Sequence, residues 1–314
     1  MTAMKYKNFN MTEHGFVGHL AQPDAGSDRA VIVIMGGENS LLPGIMIAER
    51  FADFGFAGLS VSLFGADGLP DSPDSIPLEM FGAAIDMLRS MGFKSVSIYA
   101  MSMGTIFAAL AAEHFGGVDS LVLCSPTHVP FEGTLADRKT MTGRSVVTLG
   151  GEDIPYVTAD FSSGGMMKYV HDSEAGRKVT KMWCAYRDAY GDKERVDAAA
   201  LHIEKTGARV LMIAGGHDEA WWSEYSVRYM KKRLDKSGCN KDFKALIFPK
   251  ASHLIGMMPN KKREHLLYAA VPLIGLAYRS FLTDRAVCMR AFELSEREIV
   301  RWLDPDFSED DDTL

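Results

Sequence analysis

Short apolar runs alternate along this chain with longer stretches in which apolar positions recur every three or four residues. Residues 31–35 (VIVIM) are apolar throughout, the pattern of a strand covered on both faces. Residues 45–54 have helical spacing and stop at Gly55, and residues 57–64 again read as a strand. Residues 78–91 place Met80, Phe81, Ala84, Ile85 and Leu88 on one helical face and stop at Gly92. A third strand is predicted at 96–100, a helix of small residues at 105–115, and further strands at 121–124, 210–214 and 243–248. Strands separated by helices predict a mostly parallel sheet with helices on both faces.

Two intervals break this rhythm. Residues 1–25 hold two short runs, 4–9 and 16–20, around His14 and Gly15, and predict an entry hairpin. Residues 126–206, rich in Gly and Met, lie between the strands at 121 and 210. A structureless loop of that length is uncommon in a compact domain. It is therefore read as an insertion over the carboxyl edge of the sheet, partly helical near 178–190. One domain at 26–305 accommodates all of this, followed by an acidic tail at 306–314.

Composition narrows the class. The 314 residues are 47% hydrophobic and 24% charged, which is ordinary for a globular protein and enough for a core without staples. A net charge of −7 with no long basic run argues against a nucleic-acid groove or an anionic membrane surface. The four cysteines have no C-x-x-C spacing, and Cys124 lies in an apolar run, so a reducing compartment is expected. Residues 1–10 lack a signal-peptide core, and the longest apolar stretch, 268–278, is too short to span a bilayer. The cytoplasm is the expected location. The oligomeric state is not legible.

The chemistry gathers at the ends of predicted strands. Ala100-Met101-Ser102-Met103-Gly104 closes one strand and opens a helix, a small-x-Ser-x-Gly elbow. Such a turn holds the serine hydroxyl out at the strand end, while the helix start offers free N–H groups to a developing oxyanion. The motif alone is weak; its strand–turn–helix context gives it force. A serine needs a base, and the base an orienting acceptor, in the chain order Ser, acid, His. Asp218 follows the strand at 210–214 through Gly215-Gly216-His217, and His253 follows the strand at 243–248. Glu219 is the alternative acid and His217 the alternative base. The oxyanion donors are expected to be the Met103 N–H and that of Gly37, with Glu38 as fallback, from the glycine-rich loop after residue 35. Glu38, His128 and Trp221 are candidate substrate contacts. Met141, Met166, Met167, Met182 and Trp183 could line an acyl pocket, although each is more often simple packing. Together these features predict an α/β-hydrolase fold.

Several segments together resemble one family, the carboxyl-terminal catalytic domain shared by acyl-CoA thioesterases and bile acid-CoA:amino acid N-acyltransferases. The segments are Met35-Gly36-Gly37 with Leu41-Leu42, residues 64–70, Ile76-Pro77-Leu78-Glu79 with Phe81, and residues 218–221 with Ser223-Glu224 and Arg233-Leu234. Phe248-Pro249 with His253 and Ile255, and residues 295–303, complete the resemblance over roughly 30–305. It implies the triad Ser102, Asp218 and His253, in agreement with the residues read on their own. It also implies an acyl ester or acyl-CoA as small-molecule substrate, with no metal and no cofactor. In this family a nucleophilic Cys goes with transfer to an amino acid and Ser with hydrolysis, so Ser102 implies water as acceptor. The chain departs from the pattern at Met103, where the family often has Lys, and at Ala100, where Gly is usual. Only about thirty residues precede the first core strand, so the resemblance carries no expectation of the animal enzymes' amino-terminal β-sandwich here.

Overall fold

Alternate residues of the central strands go to opposite sides of one sheet, and both sides are apolar. The computed structural model describes residues 4–37, 40–137, 139–239, 241–259, 265, 275–276 and 278–307. The main sheet comprises β1 (Met4–Phe9), β2 (Gly18–Pro23), β3 (Arg29–Ile34), β4 (Ala57–Val61), β5 (Ser95–Met101), β6 (Ser120–Cys124), β7 (Arg209–Gly215) and β8 (Phe243–Phe248). Its order is β1-β2-β4-β3-β5-β6-β7-β8. Strands β3 to β8 run parallel, β2 is antiparallel to β4, and β1 is antiparallel to β2.

The longer helices among the described residues are α1 (Leu42–Asp53), α2 (Glu79–Ser90), α3 (Gly104–Phe115), α4 (Lys181–Ala189), α5 (Lys193–Ala199), α6 (Ser223–Ser237) and α7 (Arg285–Leu303). Ile32, Ile34, Ile98, Ala100, Val210 and Met212 share a core with α2, α3 and α6. The intervening Val31, Val33, Tyr99, Leu211 and Ile213 share another with α1 and α7. A fully buried Val, Leu, Ile or Phe contributes about 1.5–3 kcal/mol, so a one-residue slip in any central strand would be costly on both faces. Helix α3 is buried along most of its length because its alanines let it lie between the sheet and α2. Gly55 and Gly92, the predicted stops, have φ of 83° and 89°, left-handed values that end a helix cheaply only in glycine.

The predicted entry hairpin forms and joins the sheet through Leu20 opposite Leu59. Its turn is a short helical segment, Met11–His14, capped by the Asn10 side chain. The interval 126–206 is more strand-rich than its sequence predicts. Glu132–Thr134 pairs with Met141–Ser145, Val147–Leu149 with Glu152–Asp153, and Tyr169–Asp172 with Arg177–Thr180. The helix expected from 178 starts at Lys181 instead. Residues 178–180 complete the third hairpin, and the Thr180 hydroxyl oxygen caps α4 by accepting the Trp183 N–H at 3.0 Å. This hairpin reaches the carboxyl edge of the sheet, where Arg177 and Thr180 bond carbonyls in the loop after β7. Helix α7 is fastened by a buried, bidentate Arg50–Glu296 pair at 3.1 and 2.5 Å. No described helix is long and apolar enough to cross a membrane. The acidic tail from 308 and nearly all of the apolar stretch at 268–278 lie outside the described residues.

Candidate active site

The turn after β5 puts Ser102 in the left-handed region, at φ 57°. A non-glycine residue held there costs about 1–2 kcal/mol, and its surroundings supply the constraint. Its N–H donates to the Cys124 carbonyl at the end of β6 (2.9 Å), and its own carbonyl accepts from the Thr105 hydroxyl at 2.6 Å. Gly104 lets α3 begin against the end of β3. A Cβ there would lie 2.2 Å from the Met35 carbonyl oxygen and 2.5 Å from that of Ile34. That close approach brings the glycine-rich loop after β3 beside the serine turn.

Glycine also joins the acid and histidine loops. A Cβ on Gly215 would meet the Ser252 and Ala251 carbonyl oxygens at 2.2 and 2.3 Å, and one on Gly216 would meet that of Pro249 at 2.4 Å. With nothing between them, the loops after β7 and β8 pack backbone against backbone. Asp218 Oδ2 then lies 2.9 Å from His253 Nδ1, and His253 Nε2 lies 2.9 Å from Ser102 Oγ. Asp218 and His253 are each only 2% exposed, while Ser102 is half-buried. With a carboxylate opposite Nδ1, the ring hydrogen belongs on Nδ1, which leaves Nε2 free to accept from the Ser102 hydroxyl. The other Asp218 oxygen accepts the Ala220 and Trp221 amides at 2.8 and 3.2 Å.

Two rings hold the imidazole. Tyr278 stacks on it with centroids 5.4 Å apart, and Trp221 meets it edge-on at 5.1 Å. Trp221 continues into an aromatic wall of Phe131, Tyr186 and Phe161. Arg177 donates to the Asp218 carbonyl at 2.9 Å. Burial holds its guanidinium below the usual range, although the Asp218 and Glu219 carboxylates push it up.

Of the predicted residues, Ser102, Asp218 and His253 converge. Met103 is the N-cap of α3, so its amide lies ahead of the intrahelical hydrogen bonds and beside the serine. Gly37 lies in the loop drawn in by Gly104, and Glu38 lies outside the described residues. Glu219 is not the partner of His253; its carboxylate turns to Ser252 and Ser280. His217 is half-buried on the acid turn, where burial and Arg177 lower its pKa. His128 is fully buried among Tyr190, Tyr225 and Tyr229, with Nδ1 2.9 Å from the Ser226 hydroxyl. Burial lowers its pKa to about 3. Trp183 is buried, and Met141, Met166 and Met182 pack on the main core, whereas Met167 is exposed. A groove of about 660 Å³ in the insertion, walled in part by Asp160, Lys181, Cys184 and Arg195, shares no residue with the triad. Sequence reasoning missed Arg177, Ser125 and Tyr278, which act through contacts far apart in the chain.

The model of the family described as "BAAT / Acyl-CoA thioester hydrolase C terminal" matches residues 76–261, well over half of the chain. The chain belongs to that family. The match spans Ser102, Asp218 and His253. Among curated proteins, human acyl-coenzyme A thioesterase 6 is 23% identical over 241 residues, covering 74% of this chain and 50% of its own. Mouse acyl-coenzyme A amino acid N-acyltransferase 2 is 26% identical over 208 residues, covering 66% and 45%. The chain thus spans about half the length of the curated relatives it matches. Among solved structures, a candidate dienelactone hydrolase from Klebsiella pneumoniae superposes with a TM-score of 0.52, 14% identity and coverage of 98% and 100%. That likeness supports the α/β-hydrolase fold of this family member and nothing finer.

Proposed function

We propose that this family member is a serine hydrolase that cleaves acyl thioesters through an acyl-serine intermediate. The observation that carries the proposal is the Ser102–His253–Asp218 relay, with both links at 2.9 Å and the serine held in a strained turn. Ser102 Oγ attacks the acyl carbonyl while His253 Nε2 takes its proton. Asp218 keeps the imidazole in the accepting tautomer and stabilises the imidazolium that forms. The Met103 and Gly37 amides receive the oxyanion. His253 then protonates the departing thiolate, and in the second half it takes a proton from the water that attacks the acyl-serine. Coenzyme A is a leaving group in this scheme, and the chemistry calls for no cofactor. The family match and the thioesterase and acyltransferase relatives support an acyl-CoA as substrate. The serine at the nucleophile position supports water as acceptor.

A fluorophosphonate probe tests the nucleophile: it is expected to label the wild type and leave Ser102→Ala unlabelled. Equal labelling of both would remove Ser102 from the scheme. Rates on acyl-CoAs of several lengths, compared with p-nitrophenyl esters, test the leaving group. A much higher kcat/KM on the oxygen esters replaces the thioesterase with a carboxylesterase. Product analysis with amino acids or alcohols added tests the acceptor, and conjugates in place of free acid would make the protein a transferase.

A further inference from the structure

Beside the acid of the relay stands a second carboxylate that the mechanism does not use. Glu219 is 2% exposed, and both its oxygens are engaged by separate parts of the chain. Oε2 accepts the Ser252 hydroxyl at 2.5 Å, one residue before His253. Oε1 accepts the Ser280 amide at 2.8 Å, two residues after Tyr278, whose ring stacks on the imidazole. The Glu219 carbonyl accepts the Thr180 hydroxyl from the insertion hairpin. The same hairpin reaches the same segment again, where the Arg279 amide donates to the Tyr169 hydroxyl at 2.9 Å. The acid loop, the histidine loop and the segment at 278–280 therefore meet at one buried side chain, and the insertion joins them at the backbone of the same residue.

A buried carboxylate is costly to leave unpaired, and pairs of buried hydrogen bonds to it fix geometry more than they add stability. Burial pushes the Glu219 carboxyl up, while the bonds from Ser252 and Ser280 pull it back. An apolar residue would fill the same space without ordering three loops against one another.

We propose that Glu219 is a positioning residue, which through Ser252 sets the orientation of His253 and through Ser280 seats Tyr278 on the imidazole face. The inference rests on the Ser102–His253–Asp218 reading of the site. Glu219 touches none of the reacting atoms, so its loss is expected in turnover and not in substrate affinity.

The test uses Glu219→Gln, Ser252→Ala and the double variant, each measured per active site titrated with the fluorophosphonate, alongside thermal unfolding. Gln keeps the size but offers one accepting oxygen where two donors need one each. Glu219→Gln and Ser252→Ala are each expected to lower kcat about 10- to 100-fold, the scale of a small misplacement, with KM nearly unchanged. The double variant is expected to be no worse than the poorer single, because both break one connection. The proposal is overturned if kcat per titrated site stays at wild type and only Tm or the titratable fraction falls, if KM carries the change, or if the two losses multiply. Ser102→Ala is the control. If it retains labelling and turnover, the reading of the site itself fails; if it is dead while Glu219→Gln is normal, only the positioning role fails.

Discussion

Replacing Asp218 by Asn changes one atom's chemistry at almost constant shape, and the hydrogen bonds around it dictate the outcome. One oxygen of Asp218 accepts two buried amides, those of Ala220 and Trp221, and the other faces His253 Nδ1. In the variant the carboxamide oxygen has a strong reason to stay with the two amides, which puts the NH₂ group against Nδ1. A donor there forces the imidazole hydrogen onto Nε2, where it points at Ser102 and can no longer take the serine proton. In the serine-protease triad this tautomer error lowers kcat by about 10⁴, or about 5.4 kcal/mol at 1.36 kcal/mol per decade. The escape is to flip the carboxamide, which restores the tautomer but turns the NH₂ toward two amide donors. Leaving a buried donor unsatisfied costs about 1–3 kcal/mol, and here there are two. The flip therefore costs about 2–6 kcal/mol, comparable to the penalty it would avoid. The smaller of the two penalties governs, so kcat is expected to fall by about 30-fold to 10⁴-fold. The measurement is turnover on an activated ester or acyl-CoA, normalised to folded protein by circular dichroism. The loop retains its shape in the first arrangement, so Tm is expected to shift little. A loss under tenfold in a folded variant would refute the assignment of Asp218 as the orienting acid.

Two further outcomes follow from packing and burial. Gly104→Ala places a Cβ 2.2 Å from the Met35 carbonyl oxygen, which is backbone and cannot swing aside. Overpacking of this kind costs about 1–3 kcal/mol, and relief requires the loop after β3 to retreat from the serine, so a lower Tm should come with a kcat loss near the 10²–10³ of a missing oxyanion donor. Wild-type turnover in that variant would show that the loop after β3 takes no part. His128 titrates at about 3 in the folded protein because of its burial, against about 6.5 unfolded. Between those values the unfolded chain binds the extra proton, so His128 makes stability fall as pH drops from about 6.5 to 3, by up to about 1.4 kcal/mol per pH unit. His128→Asn can keep a bond to Ser226 but does not titrate. Its denaturation midpoint is expected to be lower at pH 7 and to fall less steeply on the acid side; an unchanged slope would place the proton elsewhere.

The legible parts of this fold were those whose physics is local. Central strands announce themselves because both faces are buried, and Gly55 and Gly92 stop helices by their own conformation. The three residues that converge were legible for a related reason: Ser102, Asp218 and His253 each stand on the turn that follows an apolar run, so finding the strand narrows the search to a few positions. The insertion was harder. Its first and third hairpins are short and partly exposed, with no apolar run to mark them, and the step from strand to helix at Thr180 turns on one capping hydroxyl. Arg177 was illegible, and Glu219 was legible only as an alternative acid, because their contacts span 41 and 61 residues of chain. Nothing in the neighbourhood of either residue names its partner. Gly215 and Gly216 were a signal left unread, since two glycines between a strand and an acid imply backbone packed on backbone.

Ser125 brings these threads together. It sits in the left-handed region at φ 46°, one residue beyond β6, as Ser102 does one residue beyond β5. Its amide donates to the Ile213 carbonyl on β7 at 2.7 Å, and its carbonyl accepts the Trp221 ring N–H at 3.1 Å. Its hydroxyl donates to the backbone carbonyl of His253 at 2.5 Å, and the residue before it, Cys124, receives the Ser102 amide. One strained turn therefore touches the backbone of the nucleophile's anchor, the acid strand, the ring beside the imidazole and the base itself. Strain at two adjacent strand ends, each about 1–3 kcal/mol, persists only where the surroundings over-determine it. Here the hydrogen bonds that hold the strain also run to the end of β7, to Trp221 and to the His253 loop, so a change at Ser125 is expected to move both the geometry of the site and the stability of the sheet edge.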